Sequence, residues 1–174
     1  MAQAATWSLV PAAMKSLFSV KSIRFLIVVS VLLTGSVSAN TQTFSSHKLE
    51  AVKKQWQGKN WLMLLWSVDC PPCFKELAVV QKLRNAHSEL AVLLVNVDDF
   101  DELDAERDEV IASFSLQEMP NLYFAEGEAA KNRYIIDPAW GGELPRSYFV
   151  DTTGRFRGRS GLVSEAMLTQ WLVP

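Results

Sequence analysis

Six apolar residues in unbroken succession, Trp61-Leu-Met-Leu-Leu-Trp66, run almost directly into Cys70-Pro-Pro-Cys73. So short an apolar run without polar alternation predicts a strand covered on both faces, as in a parallel sheet flanked by helices. Beyond the cysteines, Phe74, Leu77, Val80 and Leu83 recur at helical spacing. Leu90-Ala-Val-Leu-Leu-Val-Asn-Val97 then reads as a second buried strand. The three segments form a βαβ unit, which carries a right-handed crossover. The cysteines therefore stand at a strand-to-helix junction.

The flanking sequence completes an α/β pattern. A helix is expected from Ser45 to Trp56, followed by the turn Gly58-Lys59-Asn60. A third helix is expected from Glu102 to Phe114, a short strand from Leu122 to Phe124, and a helical turn near Ala129 to Tyr134. Arg146–Asp151, the turn Thr152-Thr-Gly154 and Arg155–Arg159 read as an antiparallel hairpin. Ser164 is a suitable N-cap for a final helix ending near Val173. With 174 residues, 49% of them apolar, the chain supports one packed domain. It contains no internal repeat, no P-loop and no Ser/His/Asp arrangement suited to catalysis.

Charge is unevenly spread. Residues 1–39 hold Lys15, Lys21 and Arg24 and no acid, so of 17 basic and 19 acidic residues the remainder carries 14 against 19, a formal −5. A mildly acidic domain without a Lys/Arg cluster has no electrostatic footprint for nucleic acid, and no nucleic-acid partner is expected. The basic N-terminus instead leads into Phe25-Leu-Ile-Val-Val-Ser-Val-Leu-Leu33 and then Val37-Ser-Ala39. A positive region, a short apolar core and small residues before a cleavage point make a secretory signal peptide. Met14 reads as a better start than Met1, because it places Lys15 second. An uncleaved membrane anchor is the alternative, although the apolar core falls short of the roughly 20 residues a span requires. The expected organisation is residues 1–39 as signal and residues 40–174 as the domain, exported to an oxidising compartment.

There, paired cysteines usually act as staples. A disulfide closed over two residues constrains little, since the stabilisation expected from a cross-link grows with the loop it closes. Zinc normally takes four ligands, and this chain offers one Cys-x-x-Cys with only His47 and His87 far away in sequence. Both histidines read as surface residues, one near a helix start and the other at a helix end. Redox exchange is the reading that remains strongest, and it needs no cofactor. The eight acids between Asp98 and Glu109 suggest calcium, but the segment lacks the glycine and closing glutamate of an EF-hand loop. They fit an acidic helix N-terminus better.

The order βαβ, intervening segment, ββα, with Cys-x-x-Cys opening the first of these helices, is that of a thioredoxin fold: a central mixed sheet flanked by helices, here with an inserted helix and strand. The chain resembles the periplasmic TlpA/ResA-like branch of the thioredoxin superfamily. Trp66-Ser-Val-Asp-Cys-Pro-Pro-Cys73, Glu76, Asn96-Val-Asp98, Leu144-Pro145 and Tyr148-Phe-Val-Asp-Thr-Thr-Gly154 carry the likeness. The extra helix and strand between Asp98 and Gly127 resemble the insertion that marks this branch.

A thiolate is the attacking species, and a helix N-terminus favours it. Cys70, at that terminus, is the expected exposed nucleophile, and Cys73, one turn in and more buried, the resolving thiol. Pro72 suits a first helical turn, where its missing N–H costs little. The resemblance implies that Pro145 is cis and lies beside the disulfide, with Leu144 pairing its backbone to substrate. An ordinary trans proline opening a strand is the alternative. It also implies that Glu76 exchanges a proton with the buried thiol, against the simpler reading of a solvated helix residue. Trp66 either walls the active site or is a core residue ending a strand.

Two departures stand out. Many thioredoxin-like proteins have Trp before the first cysteine, where this chain has Asp69. A carboxylate there disfavours the Cys70 thiolate and the reduced form, which points to a reductant. Trp140-Gly-Gly-Glu-Leu144 is unusual ahead of Pro145 and suggests a loop specialised for a partner, or plain turn chemistry. The expected function is an exported thiol–disulfide oxidoreductase acting on protein disulfides, served by a membrane or periplasmic thiol reductant. The resemblance suggests apocytochrome c or other periplasmic cysteine proteins as substrates. An oxidant of folding proteins, or a copper-delivery module using the two soft thiolates, are the alternatives.

Overall fold

A computed structural model describes residues 41–87 and 89–173. The expected signal peptide, residues 1–39, lies outside them. Among the described residues no helix is long and apolar enough to cross a membrane.

The elements in chain order are β1 (Thr41–Thr43), α1 (Ser46–Gln55), β2 (Trp61–Trp66), α2 (Pro71–Ala86), β3 (Val92–Asn96), a 3-10 turn (Asp101–Leu103), α3 (Asp104–Ser113), β4 (Asn121–Tyr123), α4 (Ala129–Ile136), β5 (Arg146–Val150), β6 (Phe156–Ser160) and α5 (Glu165–Leu172). The six strands form one sheet in the order β1-β4-β3-β2-β5-β6. The first four are mutually parallel, and β5 and β6 run antiparallel to their neighbours.

The unbroken apolar run of β2 is explained by its position. Leu62, Leu64 and Trp66 enter one core with Leu77, Val80 and Leu83 of α2, Ile111 of α3 and Leu168 of α5. Trp61, Met63 and Leu65 enter the opposite core with Leu49 of α1 and Ala129 of α4. β3 divides in the same way, Val92 and Leu94 to the first face, Leu93 and Val95 to the second. Burying each such side chain stabilises the fold by about 1.5–3 kcal/mol. The helix and strand inserted between the βαβ and ββα parts are α3 and β4, and β4 slots between β3 and β1.

Some boundaries move. The third helix begins as a 3-10 turn at Asp101 and becomes α-helical only from Asp104, and the strand expected at Leu122–Phe124 lies one residue earlier. Asp104 and Glu106 occupy the first turn of α3, as expected of an acidic helix start. Asp98 and Asp99 do other work: Asp98 holds the loop after β2, and the Asp99 carboxylate accepts the Ala129 N–H at the start of α4. β1 was not foreseen, since Thr41-Gln-Thr43 has no apolar pattern and is a strand only because it pairs with β4.

Candidate functional site

The cysteine pair sits where β2 delivers the chain to α2. The connecting loop is fully tied down. Val68 N–H donates to Asp98 Oδ2 at 2.9 Å, Asp69 N–H to Ser67 Oγ at 3.1 Å, and Cys70 N–H to the Ser67 carbonyl at 3.2 Å. Asn96 Nδ2 donates to the same Asp98 oxygen at 2.8 Å, so the end of β3 braces the loop. The signal for this brace lay in Asn96-Val-Asp98, but only the parallel pairing of Trp66 with Asn96 shows what the aspartate reaches.

Cys70 is the N-cap of α2, and Pro71 and Pro72 occupy its first turn. Cys70 and Cys73 are joined by a disulfide with a Cα–Cα distance of 5.3 Å. The Cys73 N–H donates to the Cys70 carbonyl at 2.8 Å and approaches Cys70 Sγ at 3.3 Å. One amide of the helix N-terminus thus lies close to the first sulfur, the kind of position at which a thiolate is stabilised. Cys70 is less open than expected, at 7% exposed, while Cys73 is wholly buried. Of the two cysteines, only Cys70 retains any solvent exposure. Cys73 Sγ lies 4.0 Å from the Leu65 carbonyl, which can accept a hydrogen bond from the reduced thiol.

Leu65 is also the register partner of Arg146, which brings Pro145 to the end of the sheet where β2 leaves for Cys70. The Leu144–Pro145 bond is cis. Leu144 is half-buried and packs against both cores, including the one that contains the cysteines. Trp66 is fully buried in that core, so it is a core residue beneath the cysteines and not an exposed wall. Asp69 projects from the loop as an exposed residue.

Glu76 overturns the simple helix-surface reading, since it is 1% exposed. One carboxylate oxygen accepts the Val163 N–H at 2.6 Å, and the other lies 3.4 Å from the Ser147 hydroxyl. Burial raises its pKa above the ordinary 4.5, against the opposing pull of these bonds and of Arg159. A buried acid with two partners, one helical turn from a buried cysteine, can hold a proton or release it. The partners were not readable in advance because Ser147 and Val163 are 71 and 87 residues away.

His47 and His87 are both exposed, near the start of α1 and at the C-cap of α2. Among the described residues, no group of three or more His, Cys, Asp or Glu side chains is placed to hold a metal ion. A cavity of about 470 Å³, lined by Lys53, Trp56, Trp61 and Asp151 among others, opens at the opposite end of β2 from the cysteines.

No protein-family model and no curated protein sequence matches the chain. Solved structures do. A thiol:disulfide interchange protein of the thioredoxin family from Chlorobium tepidum TLS aligns over 68% of this chain and 80% of its own, with 18% identity and a TM-score of 0.53. A thioredoxin-like protein in its oxidized form aligns over 68% and 78%, with 19% identity and a TM-score of 0.53. MTB dsbF, in mixed oxidized and reduced forms, aligns over 67% and 81%, with 24% identity and a TM-score of 0.50. These likenesses show that the chain has the thioredoxin fold, and in this chain a helix and a strand, α3 and β4, lie between its βαβ and ββα parts.

Proposed function

We propose that the chain is a thiol–disulfide oxidoreductase that reduces disulfides in proteins outside the cytoplasm. The observation that carries the exchange chemistry, in either direction, is the asymmetry of the pair: Cys70 caps α2 and is the less buried of the two, with an amide near its sulfur, while Cys73 is wholly buried. The reduced Cys70 thiolate attacks one sulfur of the substrate disulfide and releases the other as a thiolate. Cys73 then loses its proton and attacks Cys70 Sγ, which frees the second substrate thiolate. Two electrons pass to the substrate, and the Cys70–Cys73 disulfide forms. A separate thiol donor restores the dithiol.

Several features support finer parts of the reading. The α3–β4 insertion supports a place in the TlpA/ResA-like branch. The basic start, apolar core and Val37-Ser-Ala39 of the N-terminal sequence support export to the periplasm. Glu76, with its raised proton affinity, is suited to take the Cys73 proton. Leu144, beside the cis proline, is suited to pair with the substrate backbone. The exposed carboxylate of Asp69, adjacent to Cys70, supports the reducing direction by disfavouring the thiolate.

The reduction potential of the pair is the test, measured by equilibration against a dithiol buffer. A value near −270 mV, about that of thioredoxin, is expected of a reductant. A value near −120 mV, about that of a strong oxidant, would reverse the direction. Loss of all exchange in Cys70→Ser is expected in either case. Tight stoichiometric Cu(I) binding by the reduced protein, without any exchange activity, would replace the enzyme reading with copper delivery.

A further inference from the structure

We propose that Arg146 is the positioning residue for the docking loop: seated over Gly158, its guanidinium holds Glu143-Leu144-Pro145 in the shape that receives an extended polypeptide disulfide. The inference rests on the oxidoreductase reading given above. Arg146 opens β5 and has a side chain only 14% exposed. Its Nη2 donates to Asp137 Oδ2 at 2.9 Å, and its Nη1 donates to Ser160 Oγ at 2.8 Å and reaches Glu143 Oε1 at 3.4 Å. Ser160 in turn donates to Glu143 Oε1 at 2.6 Å. The guanidinium lies 4.8 Å from the Tyr148 ring centroid, and the Tyr148 hydroxyl also reaches Asp137 Oδ2, at 3.1 Å. A single side chain thus joins the C-cap of α4, the loop before the cis proline and the end of β6.

Gly158 makes the seat. A Cβ added there would stand 2.3 Å from Arg146 Nη2 and 2.7 Å from Cζ. The backbone of Gly158 is outside the left-handed region, so the turn geometry of the strand does not demand glycine. Space for the guanidinium does, together with the Tyr148 ring beneath it, whose Cε1 would stand 3.0 Å from the added Cβ. Bonds from a guanidinium to carboxylates are charge-assisted and directional, which suits them to fixing a loop. A loop ordered in advance spares the binding step the entropy of ordering it. A polypeptide that pairs with Leu144 gains from this order. A small disulfide, which meets only the sulfur of Cys70, does not.

The test uses the full chain with two variants. Gly158→Ala expels the guanidinium while leaving Arg146 and its charge in place. Arg146→Lys keeps a charge but cannot fork between Asp137 and Ser160. Each is assayed with insulin as the polypeptide disulfide and with glutathione disulfide as the small one, alongside the reduction potential. The expected result is an insulin KM raised about tenfold in both variants with kcat little changed. Glutathione disulfide turnover and the potential should match the unsubstituted protein. An unaltered insulin KM in both variants would overturn the assignment and leave the oxidoreductase reading intact. An equal loss with both disulfides would also overturn it, by showing that Arg146 supports the cysteine pair and not the loop. Should the unsubstituted protein exchange with neither disulfide, the functional reading itself fails, and the inference with it.

Discussion

At the scale of the residue, Glu76 shows how far the fold can change the chemistry of an ordinary side chain. Its carboxyl is buried and accepts the Val163 N–H, and burial is the larger effect, so its proton is held more tightly than in the unfolded chain. The folded state is therefore favoured most where the acid is protonated in both states, and that advantage is lost as the pH climbs from 4.5 through the raised folded value. Gln at this position keeps an acceptor for Val163 and a donor for Ser147 without the ionisation. Melting temperatures across that range should converge for the two proteins at low pH, and the unsubstituted one should fall behind Glu76→Gln as the pH rises. Parallel curves would show that Glu76 does not titrate with folding. A single glutamate three residues beyond a cysteine is legible as a candidate, but its burial is not, because the groups that enclose it come from β5 and from the loop before α5.

At the scale of the element, the β2–α2 junction depends on β3. The loop between them carries amides that would otherwise be unpaired next to a buried core, and Asp98 accepts one of them from Val68. Asp98→Ala removes the oxygen that accepts from both Val68 and Asn96 and should cost about 2 kcal/mol, read as a shift in the urea midpoint. Asp98→Asn retains an acceptor and should cost less. An Asp98→Ala protein as stable as the original would mean that water replaces the carboxylate without penalty. The strands and helices themselves were largely readable, because β2 and β3 place alternate residues in the two cores and α2 repeats Leu77, Val80 and Leu83 toward one of them. β1 was not readable. Three polar residues have no periodicity, and their strand geometry comes entirely from hydrogen bonds to Asn121–Tyr123, some 80 positions away.

At the scale of the whole molecule, the described residues between Phe44 and Val173 supply two cores, one on each face of the sheet. With residues 1–39 read from their sequence as a signal peptide, a fragment of residues 40–174 is expected to fold by itself, with a melting temperature and reduction potential equal to those of the longer chain. A fragment that is unfolded or shifted in potential would assign the first 39 residues a part in the domain. The same wholeness explains the docking loop. Asp137, Glu143, Arg146, Tyr148 and Ser160 come from a helix end, a loop and two strands, and they meet only when β5 and β6 pair in the observed register.

The sequence by itself determined the βαβ and ββα order, the place of Cys70 and Cys73 at a helix start, and the terminal hairpin and helix. Each of these is written in local periodicity, capping or turn chemistry, interactions that span a few residues. Only the tertiary structure decided that Glu76 is buried, that Asp98 braces the loop before Cys70, that Trp66 is a core residue, and that Arg146 sits over Gly158. Those outcomes depend on hydrogen bonds and packing between segments tens of residues apart, and no pattern along the chain encodes which distant partner will be met.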